Sequence, residues 1–399
     1  MKYLITATLL FLMNNCYSQL GSNFKYSQIP SDYLGTSTSY QNIDLGADFV
    51  DLTTLLPQGY VKDGSIDYTD VLQQGLNNNR KVIMPNFSVL INDKGLLLKS
   101  NSIVFFKNNS KIIMAPSDRG ADSKDHYDIL RINNVENVTV YNCVLVGDRK
   151  NHKNNIGEWG MGIGIRSSKN VSIINANVSN CWGDGIYLGT TKRKLNKTDR
   201  TYIPTENITI KYARVDYNRR NGISITNGKD VTVSKCLVSN TSGTLPMSGL
   251  DIEPNSSLDV ISNITIDNLI TYRNSQDGLL IVLTKLPSQD FNNTVGININ
   301  NHIDDGSYSA MRLGSGFRKA DMRMSGSINV NNSKWKNCNW GLRFRSGYGT
   351  LPSVNFTNLT VNGSKVSSFA KTGKDIYNNG KTLQSIKQGL KLESNIQFK

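Results

Sequence analysis

Along most of the chain one phrase returns: a turn ending in Gly, two or three branched apolar residues at alternate positions, a polar break, then Asn or Asp followed by V-x-V or I-x-I. It reads NGKDVTVSKCLVSNTSG at 227–243, with variants NVSIINANVSNCWGDG, NITIKYARVDYNRRNG and NITIDNLITYRNSQDG. Alternating apolar residues make a strand with one buried face, and near-copies spaced by roughly two to four dozen residues make stacked coils. The pattern therefore predicts an all-β chain built as a parallel β-solenoid.

Coil starts align on Gly162, Gly185, Gly222, Gly249 and Gly278, then near Ala310 and on Gly341. After each, the first and third residues are expected inside: Ile186 and Leu188, Ile223 and Ile225, Leu250 and Ile252, Leu279 and Ile281, Met311 and Leu313, Leu342 and Phe344. The residues between them are expected to point to solvent. Those outward columns run Gly164, Tyr187, Ser224, Asp251, Leu280, Arg312, Arg343 and Arg166, Gly189, Thr226, Glu253, Val282, Gly314, Arg345. One face thus carries two carboxylates at its middle, a tyrosine below them and arginines towards both ends.

Before the repeats lies KDGSIDYTDVLQQGLNNNRKVIMPNFSVLI. Asp67 is placed to cap a short helix, with Asp70 near its positive end and Val71, Leu72, Gly75 and Leu76 on one face. Such a helix would cover the open end of the solenoid, whose strand edges and core would otherwise face water. The VIMP and FSVLI segments at 82–85 and 87–91 are then expected as the first strands. The D-G-x-x-D-x-T-x-x-L-Q helix followed by V-I-x-P resembles the N-terminal cap of the pectate-lyase-like superfamily, and the repeats over roughly 45–365 resemble its right-handed parallel β-helix. That resemblance implies a single right-handed parallel β-helix with an N-terminal capping helix. It implies glycan lyases, polygalacturonase-type hydrolases, epimerases or phage tailspikes, and so narrows the chemistry without choosing it.

The first residues, MKYLITATLLFLMNNCYSQ, hold one Lys, a short apolar run and a small-residue site at Cys16-Tyr17-Ser18, which reads as a signal peptide over 1–18 cleaved near Ser18-Gln19. The expected organisation continues with an irregular lead-in at 19–60, the capped β-helix at 61–366 and a tail at 367–399 that loses the repeat. Later stretches lack the roughly eighteen unbroken apolar residues of a membrane helix, so a secreted or periplasmic protein without a membrane partner is expected. Cys143, Cys181, Cys236 and Cys338 fall into two columns, and column members two or more coils apart are about 10 Å apart or more, beyond disulfide reach. They are read as buried fillers. His126, His152 and His302 are scattered, which argues against a histidine metal site.

The formal net charge is +14, which favours capture of polyanions. For an exported chain an acidic polysaccharide is the first expected partner, with nucleic acid second. Two Lys/Arg-rich insertions, DRKNHKNNIGEWG at 148–160 and TTKRKLNKTDRTYIPTE at 190–206, suit the walls of a groove for a charged glycan or, equally, solvated loops.

Asp251 and Glu253, in GLDIEPN, are the sharpest candidates for chemistry. Two positions apart on a strand puts their Cα atoms about 6.6 Å apart on one face, and inverting glycosidases hold their carboxyl groups about 6.5–9.5 Å apart to admit water. Like charges this close raise one pKa and leave an acid beside a base. The alternative is a structural pair bound to arginine or calcium. Asp184 in CWGDGIYLG and Asp277 in NSQDGLL sit at the turns before outward strands. W-G-D-G-I resembles the N-T-D-G-I segment of polygalacturonase-type hydrolases, which implies a catalytic carboxylate at Asp184; that family's G-H-G and R-I-K are missing, and Asp before Gly is also an ordinary turn residue. Arg219, Arg220, Arg312, Arg343, Arg345 and Arg166, with Trp182 nearby, are the candidates for substrate binding, because arginine clamps carboxylate or sulfate with paired hydrogen bonds.

The first expectation is hydrolase-type acid/base cleavage of an acidic polysaccharide by Asp251 and Glu253 with Asp184 assisting and no cofactor. The second is a lyase working by β-elimination, with Tyr187 as proton donor, arginine or lysine as base, and calcium held by the carboxylates. The third is a glycan-binding solenoid without catalysis.

Overall fold

A computed structural model describes residues 24–191, 203–287, 293–314, 323–345, 352–362, 390–392 and 397–398 of the chain. The expected signal peptide, the centre of the 190–206 insertion and most of the C-terminal tail lie outside these residues. The described strands form three parallel sheets of twelve, twelve and nine strands, and between the first and last coils each sheet takes every third strand in chain order. Each coil therefore contributes one strand to each sheet, which is the right-handed parallel β-helix the repeat implied. The inward residues Ile186, Leu188, Ile223, Ile225, Leu250, Ile252, Leu279, Ile281, Met311, Leu313 and Leu342 are all buried in one continuous core.

The Asn that precedes each V-x-V or I-x-I makes a corner. Asn137, Asn170 and Asn207 have φ of 59°, 56° and 54°, a left-handed conformation that Asn tolerates better than most residues. Their side-chain amides stack: Asn137 donates to Asn101 at 2.9 Å, Asn170 to Asn137 at 2.9 Å and Asn207 to Asn170 at 2.8 Å. The Asn recurring before each alternating strand is thus a corner of the coil.

The capping helix, α2 after an earlier helix α1 at Ser31–Ser37, spans Thr69–Asn78 and buries Leu72, Gly75 and Leu76 against Leu52 and Leu56, with Val71 partly covered. Asp67 accepts from the Thr69 backbone N–H at 2.9 Å, so the helix starts one residue later than a simple Asp67 cap. VIMP and FSVLI are not the first strands. Val50–Asp51 pairs with Lys81–Met84, and Asp63–Asp67 with Ser88–Ile91, so the first coil opens within the stretch expected to be irregular.

Residues 24–41 lie across the coils as a strap. The Ser27 backbone donates to Asn240, the Tyr33 hydroxyl to Asp305 at 2.8 Å, the Ser39 backbone to Asn175 and the Gln41 backbone to Asn142. Cys143, Cys181, Cys236 and Cys338 are all buried and free, as the column spacing requires.

Candidate functional site

The outward columns exist in the register the repeat predicts. Gly164 pairs with Tyr187, Tyr187 with Ser224, Ser224 with Asp251, Asp251 with Leu280, Leu280 with Arg312 and Arg312 with Arg343 along the nine-stranded sheet. In the second column Arg166 pairs with Gly189, and Val282, Gly314 and Arg345 follow one another. The Arg345 side chain lies outside the described residues.

The expected exposure of these columns does not hold. Asp251 is 1% exposed, Asp184 and Asp277 0%, Tyr187 6% and Arg166 5%. Outward from a strand is not outward to water here, because neighbouring turns and the 148–160 insertion fold over the face and pair its charges. Trp159 of that insertion packs edge-on against Tyr187, and Glu158 reaches Arg220 at 3.1 Å.

Most of the expected substrate arginines already have partners. Arg166 makes a paired contact with buried Asp128, at 2.7 and 3.0 Å, while its guanidinium lies over the Tyr187 ring. Burial opposes a charge on Asp128, but Arg166 holds its carboxyl below the usual range. Arg220 binds Asp184 at 2.9 and 3.2 Å as well as Glu158. Arg343 bonds to Asp277. Arg219 stacks on Trp182 at 3.7 Å and donates to the Gly157 carbonyl at 2.6 Å, and the Trp182 indole donates to the Ile156 carbonyl. Trp182 is itself 5% exposed, with His152 stacked on it at 3.8 Å, so it pins the insertion in place. Arg312, half-buried, has no hydrogen bond or ion pair among the described residues.

At the centre Asp251 is bonded on one oxygen only. The Asn221 side-chain amide donates to its Oδ2 at 3.1 Å, and Oδ1 is buried without a partner. Burial first, then the charge of Glu253, push the Asp251 carboxyl well above the ordinary carboxylate range; Asp184 and Asp277 push the same way and Arg220 opposes. Burial likewise raises Asp184 and Asp277, against the pull of Arg220 and Arg343 respectively. Glu253 is half-buried and follows Asp251 at the next outward position. Such a set can supply a neutral carboxylic acid beside a more open carboxylate. Tyr187 donates to or accepts from Thr226 at 3.0 Å, and burial raises its phenol. Among the described residues His, Cys, Asp and Glu side chains nowhere gather in threes with metal-ligand geometry.

Three residues that complete the site escaped the repeat. Glu158 comes from an insertion with no place in the outward columns, while Asp128 lies opposite Met161 on Tyr127–Asn133, a strand that extends those columns below Gly164 and Arg166. Asn221 carried a readable signal: like Asp184 and Asp277 it immediately precedes a coil-start glycine, so these residues share one position of successive coils.

The family profile described as "Right handed beta helix region" matches residues 75–264. The uncharacterized protein YclG of Bacillus subtilis (strain 168) is 29% identical over 219 residues, 49% of this chain and 36% of that protein, so the chain covers little more than a third of that relative. Among solved structures, the endo-xylogalacturonan hydrolase of Aspergillus tubingensis superposes with a TM-score of 0.57 at 11% identity, over 88% of this chain and 91% of its own. The tailspike gp49 of Acinetobacter baumannii bacteriophage Fri1, a capsular polysaccharide depolymerase, gives 0.51 at 15% identity, over 89% and 59%. These likenesses establish the fold.

Proposed function

The chain is a right-handed parallel β-helix protein, and from that premise we propose that it is an exported enzyme that cleaves glycosidic bonds of an acidic polysaccharide across the outer face of the nine-stranded sheet. The observation that carries this reading is Asp251, a carboxyl buried against Glu253 with one oxygen left without a partner. A carboxyl raised in this way holds its proton to higher pH than an ordinary carboxylate and can give it to a leaving glycosidic oxygen. Glu253, two positions along the strand and more open, takes the proton of the attacking water. The Cα spacing of about 6.6 Å suits the water-admitting, inverting arrangement.

Asp184, held by Arg220, shapes the field at Asp251 and does not touch substrate. The chemistry requires no cofactor. The net charge of +14 and the unpaired Arg312 favour an anionic glycan, and the activity on polysaccharides named for two structural neighbours agrees with a glycan substrate. Elimination is disfavoured because the Tyr187 hydroxyl is committed to Thr226 and its ring is covered by Arg166.

The test is to incubate the protein with a panel of uronate-containing and sulfated polysaccharides and weigh the products. Hydrolysis adds one water for each bond broken and leaves both new ends saturated. An unsaturated uronate absorbing in the ultraviolet would replace this reading with a lyase, and binding without cleavage would replace it with a glycan-binding module.

A further inference from the structure

Consecutive arginines at the turn before Gly222 part company. Arg220 goes inward to Asp184 and Glu158, while Arg219 goes to the other side of the turn, where it meets Arg149. The two guanidinium-bearing side chains converge on Gly243: a Cβ built there would lie 2.8 Å from Arg219 Cγ and 3.5 Å from Arg149 Nη2. Gly243 has φ of +128°, so the backbone also disfavours a side chain at that point.

Each guanidinium is fixed by aromatic stacking and by neutral acceptors. Arg149 lies over the Tyr217 ring at 3.9 Å and donates to the Tyr217 carbonyl at 2.7 Å and to the Ser242 hydroxyl at 2.9 Å. Arg219 lies over Trp182 and donates to the Gly157 carbonyl. Neither forms an ion pair among the described residues, in contrast to Arg166, Arg220 and Arg343. The nearest acids are spoken for: Glu158 by Arg220, and Asp216 by Ser239, Asn240 and the Tyr26 hydroxyl.

A guanidinium has five N–H donors. Arg219 commits one of its own and Arg149 two. The nitrogens without a partner, Arg149 Nε and Arg219 Nε and Nη2, are not sealed from solvent. Two half-buried like charges held side by side are costly unless an anion sits between them, and the cost shows in Arg219, which burial and then Arg149 bring down to about 10.

We propose that Arg149 and Arg219 form an anion subsite that takes a carboxylate or sulfate substituent of a glycan chain and thereby sets the register of the sugar presented to Asp251. The subsite deepens the cleavage reading and rests on it only for the second clause; the capture of an oxyanion stands on the arginine pair alone. The stacked, preoriented forks suit two-point binding of a planar carboxylate or of two sulfate oxygens. Tyr217 and Trp182 hold them without neutralising them.

The experiment measures binding by calorimetry with three probes: a galacturonate hexasaccharide, its fully methyl-esterified neutral counterpart and a heparin hexasaccharide. It uses the wild type and the variants Arg149→Gln, Arg219→Gln and Arg149→Lys. The wild type should bind at least one anionic probe tenfold or more tighter than the neutral one, and the tighter of the two identifies uronate or sulfate as the substituent. Each Gln variant should lose most of that preference, and Arg149→Lys, which keeps the charge but not the fork, should lose part of it. Asp251→Asn should bind the anionic probe as the wild type does, so binding that survives without turnover separates failure of the cleavage reading from failure of the subsite. A wild type indifferent to charge overturns the proposal. So do folded Gln variants with undiminished preference, and, should the Gln variants fail to fold, a folded Arg149→Lys that binds like the wild type.

Discussion

The Asn221 side-chain amide donates to Oδ2 of Asp251 at 3.1 Å, and its orientation is fixed because the Asn221 carbonyl oxygen accepts the Ser248 backbone N–H at 3.0 Å. The N–H₂ group must therefore face the carboxyl. One oxygen of Asp251 is held by the preceding coil, and the other is buried without a partner. In the proposed cleavage, Asn221 orients the acid before substrate arrives.

Asp251→Asn should cut turnover by at least about a hundredfold, the usual worth of a positioned general acid. Its melting temperature at neutral pH should not fall, because Asn keeps an oxygen for Asn221 and removes a buried acid crowded by Glu253. Glu253→Gln should lose turnover to a similar degree. Steady-state rates and thermal melts on the same preparations check both. A folded Asp251→Asn enzyme of normal turnover would remove Asp251 from the chemistry.

The raised Asp251 has a sign in its pH dependence. Its folded pKa lies above the unfolded value of about 3.9, so its contribution to stability is full below about pH 4 and is lost as pH rises through the folded value. The difference in melting temperature between wild type and Asp251→Asn should therefore move against the wild type as pH rises from about 4 through the raised folded value. Turnover should fall over the same alkaline limb as the acid loses its proton. Melts and rates across that range provide the check, and a pH-independent difference would contradict the assigned environment.

Arg166→Met should be destabilising, by up to about 3–5 kcal/mol, since it removes the paired contact of the fully buried Asp128 and leaves it only the longer ion pairs with Arg131 at 3.4 Å and His126 at 3.9 Å. The double variant Arg166→Met with Asp128→Asn should recover much of the loss. Denaturant unfolding of the two single variants and the double variant measures the coupling directly.

The four described thiols should be inert in the native state. Burial pushes Cys143 and Cys236 up to about 12, and the thiolate is the reactive form. Thiol titration should find little reaction before denaturation and all of Cys143, Cys181, Cys236 and Cys338 after it.

The solenoid, its inward rows and even the pairing Ser224–Asp251–Leu280 were legible because a period of two within a repeat fixes which residues share a face. What covers that face was not. Arg220 finds Glu158 across 62 residues, and Arg166 finds Asp128 across 38, through side-chain reach that no strand pattern encodes. Counting outward positions thus located Asp251 and Glu253 together but mistook buried ion pairs, such as Arg166 with Asp128, for groups waiting on a ligand. Arg149 lies in an insertion, where the repeat offers no column to place it.

The strap at residues 24–41 changes how the stack can assemble. Coils in a solenoid meet only their neighbours and can add one at a time. Tyr33, by contrast, finds its acceptor Asp305 272 residues further along. A chain halted before residue 305 lacks the acceptor of the Tyr33 hydroxyl even where Leu237, Ile270 and Tyr272 already meet its ring, so this early stretch is a clasp that shuts fully only on coils made long after it. Once shut, it ties the coil of Asn142 to that of Asp305 and makes the intervening rungs fail together instead of peeling from one end.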